Sequence, residues 1–126
     1  MVVGICRVVL ALPWNDSLKG KRSVVKSILE RARVRFHVAA AEVADLDAHR
    51  RATLGFAVVS NDARHVESML DKLVSFIAGA SQAQILDTSR SIEHHESLLE
   101  SPLTGAQGDS WYPPEWDRED GDEEED

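Results

Sequence analysis

The sequence predicts an α+β domain over residues 1–94, with element order β-α-β-β-α-β and an acidic tail over residues 95–126. Three observations point there. Four short segments are rich in β-branched or alternating apolar residues, and two longer ones repeat their apolar residues at the 3.6-residue helical period. Charge is also segregated: residues 115–126 hold nine carboxylates and one Arg, while residues 1–114 hold 13 acids and 13 bases. The net charge of -8 therefore lies in residues 115–126, and residues 1–114 sum to zero.

The first strand is read over residues 2–12 (VVGICRVVLAL), which end at Pro13. Gly4, Cys6, Val8, Leu10 and Leu12 share one face; Val3, Ile5, Arg7, Val9 and Ala11 share the other. Both faces are mostly apolar, as a central strand requires. Ser17 then offers an N-cap for a helix from Leu18 to about residue 35, with an apolar side of Leu18, Val24, Val25, Ile28, Leu29, Ala32 and Phe36. Residues 36–44 and 50–60 read as the second and third strands, separated by a turn at DLDAH. Asn61 and Asp62 offer caps for a second helix. Its stripe is Val66, Met69, Leu70, Leu73, Phe76 and Ile77, and Gly79 is its stop. Residues 82–90 read as a last, polar edge strand. Two right-handed crossovers joined by a hairpin give one four-stranded antiparallel sheet with both helices on one face.

These residues resemble a known family. SLKGKRSVVKSILERARVRF (17–36), AAEV (40–43), RATLGFAVVSND (51–62) and HVESMLDKLVSFI (65–77) are similar to the YlxP-like bacterial family, also known as domain-of-unknown-function family 503. The resemblance covers about residues 1–94 and leaves the tail outside. It implies a ferredoxin-like fold and a small cytosolic protein. Genes of the family often lie near those for translation initiation factor 2 and ribosome-binding factor A, an association without a demonstrated activity.

No apolar run approaches the ~20 residues that span a bilayer, and no signal-peptide pattern opens the chain. A single cysteine, Cys6, excludes an internal disulfide framework. A cytoplasmic protein without a membrane partner and without a cofactor is expected.

The strongest functional signal lies in the first helix. Residues 19–35 contain Lys19, Lys21, Arg22, Lys26, Arg31, Arg33 and Arg35 against one acid, Glu30. Lys19, Arg22, Lys26 and Arg33 fall within a sector of ~60° beside the apolar stripe. Such a stripe suits a phosphate backbone, through counterion release. The expected nucleic-acid contacts are Lys19, Lys21, Arg22, Lys26 and Arg33, with Arg50 and Arg51 as weaker candidates. The competing reading is a solvated helix face whose stems lie along the core. The favoured function is a non-enzymatic RNA- or ribosome-associated accessory protein. The alternative is a homodimeric interaction or regulatory module using its sheet.

Other patterns carry less. LGFAVVSN (54–61) overlaps the third-strand signature of the RNA-recognition motif at Gly55, Phe56, Ala57 and Val59, but lacks its stacking platform, so Phe56 is assigned to the core or an interface. The loop PWNDSLKGKR lacks the glycine-containing phosphate cradle of acylphosphatase-like enzymes, so no enzyme is expected. Glu42, Asp45, Asp47 and His49 read as solvated or capping turn residues, EHHE (93–96) as no metal site, His37 and His65 as without a role, and Cys6 as a buried thiol. Val3, Ile5, Val9 and Ala11 would form an apolar sheet face covered by a second copy, or by a C-terminal segment containing Leu98, Leu99, Trp111 and Tyr112. The tail, with WYPPEW (111–116) before its acidic run, is expected to be disordered. It would solubilise the chain, engage a basic partner, or screen the basic helix in cis across a flexible spacer of ~25 Å.

Overall fold

The computed structural model describes residues 1–80 and 83–99. The expectations for the acidic run and the WYPPEW segment fall outside the described residues. A first compact unit comprises Met1–His95 and contains the whole sheet; a second begins at Glu96, where Glu96–Leu99 form a short 3-10 helix.

Strand β1 (Val2–Ala11) leads through Pro13-Trp14 into helix α1 (Leu18–Phe36). Strands β2 (Ala39–Ala44) and β3 (Arg51–Ser60) form the central hairpin, helix α2 (Ala63–Ala78) crosses back, and strand β4 (Gln84–His94) closes the sheet. The sheet is antiparallel in the order β2-β3-β1-β4. This is the ferredoxin-like arrangement that the pattern predicts, with β1 central and β4 at an edge.

The alternation along β1 sorts its side chains. Val2, Cys6, Val8 and Leu10 enter the core with Ala52, Leu54, Phe56 and Val58 of β3. They meet Val25, Ile28, Leu29 and Ala32 of α1 and Val66, Leu70, Leu73 and Ile77 of α2. Phe56 is therefore core, as its pattern implied. Gly4 sits where the first turn of α2 presses on the sheet: a Cβ there would lie 2.3 Å from Val66 Cγ1.

Both helix starts are capped as expected. Ser17 Oγ accepts from the Gly20 N–H at 3.0 Å, and Asp62 Oδ1 accepts from the Arg64 N–H at 2.9 Å. Two boundaries differ from expectation by three residues or more. The second strand starts at Ala39 rather than residue 36, because Phe36 completes the helical stripe and His37 ends α1 in the left-handed region at φ 55°. The last strand runs to His94 rather than residue 90 and pairs with β1 from Val2 to Ala11. A bulge at its Val9/Leu10 crossing turns Ile85 inward and leaves Leu86 exposed. No helix among the described residues is long and apolar enough to cross a membrane.

Candidate nucleic-acid interface on the first helix

The bases of α1 have three different fates, set by their angular positions. Lys21 shares the i, i+4, i+7, i+11 row of Val25, Ile28 and Ala32, and is fully buried with them. Its ammonium donates to the carbonyls of Asp45 at 2.7 Å, Leu46 at 3.1 Å and, at the long end, Arg51 at 3.4 Å. Glu42 Oε2 sits 2.9 Å from the same nitrogen and has no hydrogen-bond donor among the described residues. The three ammonium protons thus go to carbonyls, and charge alone holds the carboxylate. Lys21 ties the start of α1 to the β2–β3 loop, so its expected role as a phosphate contact is corrected: its tip does not reach solvent.

Lys19, Arg22, Lys26 and Arg33 occupy the flank toward β2, and all four are exposed. Among the described residues, none has a carboxylate within ion-pair distance. Arg33 Nη2 donates to the Ala40 carbonyl at 2.6 Å and ties the helix end to the strand edge. Arg50 and Arg51, the weaker candidates, lie on the surface but serve the loop: Arg50 Nε donates to the Asn15 carbonyl at 2.9 Å, and Arg51 Nε lies 3.4 Å from Asp45 Oδ2.

Arg31 and Arg35 project from the opposite flank, toward α2. The Arg31 guanidinium lies 5.2 Å from the Phe76 ring centre; that of Arg35 lies 5.5 Å from Phe76 and 5.6 Å from Phe36. The two rings meet edge to face at 5.6 Å. This cluster was missed among the sequence candidates, because Phe36 and Phe76 count there only as stripe residues. The visible signal was Arg at i and i+4 beside the aromatic that ends the helix.

The remaining polar residues near the helix start serve the fold. Asn15 is buried, and its amide donates to the carbonyls of Ser17 and His49. A Cβ on Gly20 would lie 2.3 Å from Asn15 Oδ1, so glycine is required there for close approach. Asp45, in the left-handed region at φ 59°, accepts from the Thr53 hydroxyl at 2.6 Å. Glu42 and Asp45 are therefore loop-fixing groups, and among the described residues no three metal-ligating side chains gather. Elsewhere Arg7 pairs with Asp87, and Arg90 with Asp71 and Glu67. Burial pushes the Cys6 thiol above its ordinary value, with Arg90 opposing the shift.

The sheet face away from the helices is exposed only in part: Val9 and Thr53 on it are buried, at 5% each. Ile5 (42% exposed), Val43 (56%) and Val59 (63%) stand on it, around a shallow trough of Ala39, Ala41, Gly55 and Ala57.

Comparison with known proteins places this architecture. Residues 3–90 match the family model described as "Protein of unknown function (DUF503)". The chain is 38% identical over 61 residues to the protein described as "Uncharacterized protein YlxP" of Bacillus subtilis (strain 168). That match spans 48% of this chain and 66% of the relative's length. The family match runs from the first residues of β1 well into β4, so it takes in the basic helix and the pinned loop together. The chain belongs to the DUF503 family.

Proposed function

We propose that this protein is a non-enzymatic RNA- or ribosome-associated accessory protein, which docks on the phosphate backbone through the outer flank of α1. One observation carries the reading: Lys19, Arg22, Lys26 and Arg33 form an exposed row that, among the described residues, no carboxylate neutralises, within residues 1–114, which sum to zero net charge. A solvated face would more commonly interleave both signs, as Arg7–Asp87 and Arg90–Asp71 do here. Backbone charge contacts discriminate weakly between sequences, so the partner is a folded RNA recognised by shape and charge. Binding without catalysis is favoured because the loop after β1 spends Asn15 on holding the fold, and Lys21 at the start of α1 does the same. This role places the protein in the cytoplasm.

The test is filter binding of the full chain to ribosomal RNA across a salt series. Lys19→Ala/Arg22→Ala/Lys26→Ala should weaken binding and flatten the salt slope by roughly one unit per lost contact. Wild-type affinity with the wild-type slope in that variant refutes the reading.

A second reading is favoured by the exposed part of the sheet face. Ile5, Val43 and Val59 around a small-residue trough would pack against a second copy of the chain. Light scattering checks it: a dimer that Val59→Lys converts to monomer supports it, and a monomeric wild type refutes it.

A further inference from the structure

We propose that the groove between α1 and α2 takes an unpaired RNA nucleotide, with its phosphate on Arg31 and Arg35 and its base against the aromatic floor. The inference rests on the RNA-binding reading above and deepens it, by naming unpaired strand rather than duplex as the substrate class.

The groove encloses about 960 Å³. Phe36, Phe76 and Met69 form its apolar part; Arg31, Arg35 and Lys72 supply its charge. Among the described residues the one acid on its lining, Asp71, is already 2.9 Å from Arg90 Nη1. The rings hold both guanidiniums within cation–π range, so little side-chain freedom remains to be lost when an anion arrives. Among the described residues neither Arg has a carboxylate partner. Their N–H edges therefore remain available for the bidentate contact that guanidinium makes with phosphate.

The apolar floor decides between strand types. Duplex RNA offers phosphates but keeps its base faces stacked within the helix. An unpaired nucleotide offers a phosphate and a flat base together, and stacking on an aromatic or guanidinium plane tolerates any base. Among the described residues no ring lies within cation–π range of Lys19, Arg22 or Lys26, and that row suits backbone contacts. The two flanks of α1 thus divide the work: charge on one side, charge with stacking on the other.

The experiment measures fluorescence anisotropy of the full chain with a labelled ten-nucleotide single strand and with a duplex of equal length. The double variant Arg31→Lys/Arg35→Lys keeps the charge and removes the planar fork that grips the phosphate. It should lose single-strand affinity by about five-fold or more, as loss of a bidentate charge-assisted contact implies, and leave duplex affinity unchanged. Phe76→Leu, with its fold checked by circular dichroism, should do the same; the lysine variant keeps the test alive if Phe76→Leu does not fold. Unchanged single-strand affinity, an equal loss on both RNAs, or displacement of the strand by poly-glutamate at equal charge concentration overturns the groove. If duplex binding still depends on Lys19, Arg22 and Lys26 in any of those cases, the outer-flank reading stands alone. Absence of binding to either RNA removes both.

Discussion

Replacing Lys21 with methionine separates the buried base of α1 from the exposed ones. The change keeps the apolar stem of the side chain and deletes the ammonium. Glu42, whose side chain is 16% exposed, would then hold an uncompensated charge. The carbonyls of Asp45 and Leu46 would lose their donor. Removing one member of a buried ion pair costs ~3–5 kcal/mol. Glu42 keeps some exposure to water, so the low end applies. A loss of ~3 kcal/mol at a urea dependence of ~1–1.5 kcal/mol/M moves the unfolding midpoint down by about 2–3 M. Circular dichroism at increasing urea measures it. Adding Glu42→Gln removes the stranded charge and should recover ~1–2 kcal/mol. In the same variant, under conditions where it is folded, RNA affinity and its salt slope should equal those of the wild type. A midpoint shift below about 0.5 M would refute the pin. A fall in RNA affinity with the fold intact would show that the ammonium reaches the surface.

Two further outcomes are expected. Gly20→Ala should lower the melting temperature, although alanine favours a helix over glycine by ~1 kcal/mol. The new Cβ meets Asn15 Oδ1, which two hydrogen bonds of the same side chain hold in place, and crowding of that kind costs ~1–3 kcal/mol; a higher melting temperature would disprove the close approach. Cys6 is buried with its thiol pushed above the ordinary 9.0, so its neutral form stabilises the fold at lower pH, and that contribution fades as pH rises through the folded-state value. Wild type should therefore lose more stability than Cys6→Ala between pH 8 and pH 10, and native protein should resist iodoacetamide until urea is added; equal losses, or rapid native alkylation, would contradict this.

The fold is legible because its core signals are redundant. The alternation in β1, the stripe of α2 and the caps Ser17 and Asp62 each point to the same arrangement without help from neighbours. The ends of β2 and β4 are less legible for a physical reason. Phe36 satisfies a helical stripe as well as a strand. Residues 91–94 alternate weakly, because Ser91 and Glu93 lie on the face away from the helices and draw no apolar pattern from it. The site was legible only as composition. Lys21 occupies an apolar helical row, and residue type outweighed position in reading it; the pattern alone would have buried it. No local signal tells that the β2–β3 loop and the first residue of β3 turn three carbonyls toward that point. Arg31 and Arg35 needed the approach of α2, which brings Phe76 beneath them.

The strand order carries a consequence for synthesis on the ribosome. The middle of the sheet is made first, and β1 follows β3 and β4 in neither time nor sequence: its first neighbour emerges about 40 residues later and its second about 70. At ~5–20 residues per second, the central ribbon waits several seconds before both its edges are occupied. Throughout that interval a doubly apolar segment is available for wrong partners. The nascent protein is thus most vulnerable to aggregation before β4 has left the tunnel, and slowing translation across α2 and β4 should lower the yield of soluble chain more than slowing it earlier.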